Sequence, residues 1–116
     1  MTHELTWTSA SLARRLGGNP QLAQELVHIF LAEYPNLLGS LRATVRDSDG
    51  HGIRRAAHAL KGSVANFIED GPTATSHALE AAAAQSRFAD VTALLAQLER
   101  ELDELATAMR TQVVSR

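Results

Sequence analysis

Five histidines, His3, His28, His51, His58 and His77, are the side chains of this chain with the most chemistry to offer. No two of them lie three or four positions apart, and Glu25 with His28 is a single Glu-x-x-His pair with no second copy. A helical metal site needs such ligands in matched sets, so no resident metal is expected. There is no cysteine, which removes thiol catalysis, disulfides and zinc ribbons and fits a reducing compartment. A glycine-rich phosphate loop ending in Lys-Ser/Thr, a His-Glu-x-x-His and a Gly-x-Ser-x-Gly are all missing. The chain therefore reads as having no ATP site and no autonomous catalytic turnover.

One stretch stands apart. Ile53, Ala57, Leu60, Val64 and Phe67 recur at helical spacing and cluster within about 40° of one direction at about 100° per residue. His58 projects about 140° from Ile53, with Arg54 at about 100°, Lys61 at about 80° and Gly62 at about 180°. The ring should face solvent. Gly62 sits inside this pattern, where glycine costs about 1 kcal/mol relative to alanine. At i+4 from His58 it leaves room for a bulky group on the imidazole or for another protein's backbone. Lys61 sets an ammonium at i+3, suited to an anion carried by the ring. The combination describes an exposed nucleophile with anion support. The plain alternative is an inert surface histidine, a packing notch and a solvated lysine.

The elements that must carry these residues read as helices throughout. Ala and Leu are abundant, aromatic residues make up only 4%, and β-branched runs are missing. Ser9 to Leu16 forms a short first helix, with Trp7 plugging the core beside Leu12 and Leu16, and Gly17-Gly18 stops it. Asn19-Pro20 starts a long second helix with Leu22, Leu26, Ile29, Phe30, Leu37, Leu41 and Val45 as its apolar stripe. Pro35 should bend that helix without breaking it. After the turn at Asp47-Ser48-Asp49-Gly50, the His58 helix runs through Phe67 toward Gly71-Pro72. A fourth, alanine-rich helix spans about Thr73 to Ala84 and carries Ala78, Leu79 and Ala82. A fifth carries Val91, Leu94, Leu95, Leu98, Leu102, Leu105 and Met109, with Glu99, Arg100, Glu101, Asp103 and Glu104 on the wet side. Short links favour antiparallel neighbours. The expectation is an all-α, antiparallel up-and-down four-helix bundle with a short N-terminal capping helix, one domain over residues 1–116.

Composition narrows the partners. Eleven Lys+Arg against thirteen Asp+Glu leave a net charge of −2, no footprint for a nucleic-acid backbone. No apolar run approaches the roughly 20 residues of a membrane span, and Met1-Thr2-His3-Glu4 does not open like a signal peptide, so a cytoplasmic monomer is expected.

The string His58-Ala59-Leu60-Lys61-Gly62-Ser63 resembles the signature of the histidine phosphotransfer (HPt) domain, His-x-Leu-Lys-Gly-Ser/Ala. Leu16-Gly17-Gly18-Asn19 is similar to that family's first interhelical turn. Phe30 to Leu38, with Pro35, is similar to its proline-containing second helix, and Arg55-Ala56-Ala57-His58 to the run into its active histidine. One departure is Ile68-Glu69, where members commonly have Gly-Ala. The resemblance implies a phosphorelay carrier in which His58 takes a phosphoryl group from a receiver-domain aspartate of a response regulator and hands it to another receiver. A hybrid histidine kinase is a further implied partner. The resemblance also implies that Nε2 attacks, that Nδ1 is held by a polar side chain of the following helix, for which Glu80 is the candidate, and that Arg54 and Arg55 add anion support or meet an acidic rim. No cofactor of its own is implied, since Mg²⁺ belongs to the receiver. A receiver-binding adaptor that is never phosphorylated and a purely structural bundle remain as other readings.

Overall fold

The computed structural model describes residues 7–114. His3 lies outside the described residues. Five α-helices follow one another, α1 Ser9–Arg15, α2 Pro20–Arg46, α3 Gly50–Val64, α4 Pro72–Ala84 and α5 Phe88–Met109, and a π-helical turn at Arg110–Val114 extends the last. There is no strand among the described residues. Each of α2 to α5 packs on the next, and α5 returns to close against α2, the ring of neighbours of an up-and-down bundle. The short α1 caps α2.

Local chemistry sets the boundaries. Thr8 Oγ1 accepts from the Ser11 amide at 3.1 Å, Asn19 Oδ1 from Leu22 at 3.0 Å and Asp49 Oδ1 from Gly52 at 3.0 Å, so three helices start on a side-chain cap. Gly17 and Gly18, with φ of 74° and 79°, turn the chain out of α1 through left-handed backbone that L side chains avoid. Pro20 and Pro72 occupy first-turn positions, where a missing N–H is harmless. Pro72 thus begins α4 rather than ending α3.

The core seam of α2 differs from the expected stripe. Ala23, Val27, Phe30, Leu38 and Leu41 are buried, whereas Leu22 is 37% and Ile29 57% exposed, with Leu26, Leu37 and Val45 half-buried. Measured from Ala23, the buried set lies within about 60° of one direction, and Leu22 and Ile29 sit about 100° and 120° to one side. The face that buries Phe30, Leu38 and Leu41 is therefore also the face of the smaller Ala23 and Val27, and it leaves Leu22 and Ile29 outside. α2 runs unbroken through Pro35.

α3 also ends earlier than its apolar pattern. Val64 is its last residue, and Asn66 Nδ2 donates to the carbonyls of Gly62 and Ser63 at 3.4 and 3.3 Å, satisfying part of the last turn. Phe67 and Ile68 fold inward beyond the helix and are buried, so Ile68 of the departure is a core residue while Glu69 stays exposed. Phe67 meets Phe30 with ring centroids 5.0 Å apart, and Phe30 stacks on Tyr34 at 5.2 Å. The wet side of α5 is partly engaged: Arg42 Nη2 pairs with Glu99 at 2.6 Å, and the buried Thr75 hydroxyl of α4 donates to Glu101 at 2.5 Å.

Trp7 is buried, and Gln112 ties it down. The Gln112 carboxamide accepts from the Ser9 amide at 2.7 Å and donates to the Trp7 carbonyl at 3.2 Å, closing the entry to α1 onto the π turn after α5.

Candidate functional site

Burial of Ile53, Ala57, Leu60 and Val64 against the bundle fixes the rotation of α3 and turns His58 outward. Its side chain is 69% exposed. The α3–α4 pairing then supplies what sequence spacing alone could not: Glu80 of α4 lies 22 positions on, yet its carboxylate faces His58 Nδ1 at 3.3 and 3.4 Å. Lys61 Nζ is paired with the same carboxylate at 2.8 Å and is 24% exposed. His58, Lys61 and Glu80 therefore form one cluster, with the carboxylate between two nitrogen groups.

Glu80 is held below its ordinary value of 4.5, first by the hydrogen bond from Lys61, against a smaller opposing effect of burial and with further help from His58. Near neutral pH it is ionised and can only accept. The His58 nitrogen facing it is accordingly the protonated one, which leaves the Nε2 lone pair free on the outer edge of the ring. Such a ring can attack an electrophile with Nε2 while the carboxylate steadies the positive charge that develops on it.

The lowered value carries a consequence for stability. Glu80 contributes fully above pH 4.5, and that contribution is lost as pH falls through its lower folded-state value. Glu80→Gln is expected to remove this part of the acid dependence. Urea midpoints of wild type and variant, compared from neutral to acid pH, should converge at the acid end, and parallel curves would contradict the assignment.

Arg54 and Arg55 are exposed and border the site. With His51, His58, Ala59 and Glu80 they line a shallow depression of about 310 Å³. A smaller recess of about 150 Å³ lies beside it between Arg54, His77, Glu80, Ala81 and Ala84. The surroundings of the ring are thus cationic apart from Glu80. Gly62 is exposed, and a Cβ built on it meets nothing within 4 Å. The expected relief of crowding on the His58 ring is therefore not needed in this ring position. The bare surface at Gly62 is clearance toward the outside.

His28 and His51 are exposed, as a surface reading implies. His77 is exposed too, but its Nδ1 lies 3.5 Å from Lys61 Nζ, a contact that sequence reading did not find. The available signal was its place three residues before Glu80 on α4. Among the described residues no three His, Asp or Glu side chains stand close enough to hold a metal ion, and no helix is long and apolar enough to cross a membrane.

Of the exposed imidazoles, His58 is the one braced by a carboxylate from the next helix and bordered by Lys61, Arg54 and Arg55. The family model of the Hpt domain matches residues 25–108, well over half of the chain, and the chain belongs to that family. Hpt domains are phosphotransfer modules of two-component signalling rather than classical enzymes. Comparison with curated proteins and with solved structures returns no match. The matched span includes α3, α4 and the His58 cluster and begins after α1.

Proposed function

We propose that His58 is the phosphoryl acceptor and donor of a relay between response-regulator receiver domains. Nε2 attacks the phosphorus of an aspartyl phosphate in line, an N–P bond forms, the acyl P–O bond breaks and the aspartate leaves as carboxylate. The Nδ1 proton stays on the ring beside Glu80, so the positive charge acquired by the imidazole is balanced locally. That charge keeps the N–P bond labile, and the reverse step delivers the group to a second receiver. Lys61 compensates the phosphoryl oxygens when it swings from Glu80, and Arg54 and Arg55 extend the cationic rim toward a receiver's acidic pocket. Mg²⁺ enters with the receiver. The carrier works as a cytoplasmic monomer, and a hybrid histidine kinase is the upstream source that suits such a module.

The observation that carries this reading is the Glu80 carboxylate on Nδ1 of a ring 69% exposed, which presents Nε2 outward. The test is to mix the purified protein with phosphorylated receiver domains and map the label. Acid-labile, alkali-stable phosphate on His58 supports the relay; stable receiver binding without label indicates an adaptor, and neither indicates a structural bundle.

Gly62 gives an expectation with two signs. Because an added methyl meets no neighbour within 4 Å, Gly62→Ala should stabilise the fold by up to about 1 kcal/mol through helix propensity. Phosphotransfer should fall at the same time, since the methyl stands where a receiver approaches. Urea midpoints and transfer rates on the same preparations check both, and an unchanged rate would show that Gly62 is not part of the docking surface.

A further inference from the structure

His77 has no part in the carrier chemistry described so far, yet it touches the residue that compensates the phosphoryl charge. Its Nδ1 lies 3.5 Å from Lys61 Nζ. An ammonium has no lone pair, so the contact requires the imidazole to accept with Nδ1 and to carry its proton on Nε2. Lys61 is thereby held by two groups of α4, Glu80 at 2.8 Å and His77. Glu80 also faces Nδ1 of His58, the nitrogen that would not carry phosphate.

We propose that His77 is a positioning residue that sets how Lys61 divides its time between Glu80 and the phosphoryl group on His58. Neutral His77 parks the ammonium against α4. Protonated His77 has no acceptor at Nδ1, repels the ammonium beside it and competes for Glu80, three residues away on its own helix. Lys61 is then released toward His58. The charged groups bordering His77 are Lys61 and Arg54 on α3 and Glu80 on α4, two cations and one anion, so a proton added there pushes on Lys61 rather than being absorbed by surplus carboxylates. The proposal rests on the carrier reading for its consequence, but the coupling between His77 and Lys61 exists in the unphosphorylated protein and can be measured without it.

The experiment follows the Lys61 side-chain resonances by NMR while the pH is lowered from neutral into the mild acid range, in wild type, His77→Gln and His77→Leu. In wild type the Lys61 signals should move in step with the His77 ring resonances. In His77→Gln, whose amide oxygen accepts at every pH, that movement should vanish while the neutral-pH position of the signals is kept. In His77→Leu, where Glu80 alone still holds the ammonium, the pH-dependent movement should also vanish and the neutral-pH signals should be displaced toward the acid position of wild type. Transfer from a phosphorylated receiver at neutral pH should be about 2- to 5-fold faster for His77→Leu than for wild type, with His77→Gln restored to the wild-type rate, the size expected of a partly exposed polar contact. Lys61 signals that ignore His77, or that move identically in all three proteins, overturn the proposal. Absence of transfer in all three, with the coupling intact, would instead sink the relay reading and leave His77 as the group that positions Lys61.

Discussion

His58→Gln is expected to abolish phosphoryl acceptance from any receiver while leaving the fold as stable as wild type within about 0.5 kcal/mol. The two halves of that expectation have separate causes. Glutamine has no nitrogen lone pair able to form an N–P bond, because its amide nitrogen is delocalised into the carbonyl, so the loss is complete rather than partial. The fold is spared because the ring lies on the solvent face, 69% exposed, with Glu80 as its polar partner in the bundle, and a glutamine amide can still donate to that carboxylate. Phosphotransfer by radiolabel or intact mass, run beside a urea denaturation, measures both. Residual label on the variant at more than a trace would place the acceptor elsewhere.

The second large effect concerns the core. Phe30→Ala should destabilise the protein by about 3–5 kcal/mol, against a total that for 116 residues is roughly 6–17 kcal/mol. Phe30 is 2% exposed, stacks on Tyr34 and meets Phe67, so its ring joins α2 to the turn that follows α3. Truncation would leave a cavity that neighbours on two elements cannot both collapse into. The lower end of the range would indicate that Phe67, on the turn rather than on a helix, moves in to fill it. A urea midpoint unchanged from wild type would contradict the packing described for this junction. Because the α3–α4 turn orients α4, the variant should also loosen the Glu80–His58 contact, seen as broadening of the His58 ring resonances.

Much of the architecture was legible because helix starts and stops are local chemistry. Asn19-Pro20 caps and opens α2 and Gly17-Gly18 turns the chain out of α1, and the structure uses both, while Asp49, read only as part of a turn, also caps α3. The seam of α2 was less legible. A reading that weighs Leu and Ile above Ala selects Leu22 and Ile29, but a helix in a bundle is rotated by the summed fit of all its neighbours, and the face turned inward is the one shared by Ala23, Val27, Phe30, Leu38 and Leu41. The end of α3 was misplaced for a similar reason: Phe67 continues the helical spacing, yet Asn66 caps the last turn, and Phe67 reaches the core from outside the helix.

By itself the sequence determined an all-helical chain, the face of α3 on which His58 stands, and the neighbours Lys61 and Gly62, because these follow from about 100° per residue and from side-chain type. The partners across helices were decided only by tertiary structure. Glu80 and His77 lie 22 and 16 positions from the residues they touch, and no local rule sets the register of α4 against α3. That register is fixed by Leu79 and Ala82 packing against the core, a many-body fit of volumes that aligns two polar side chains on the same helix with the site as a consequence.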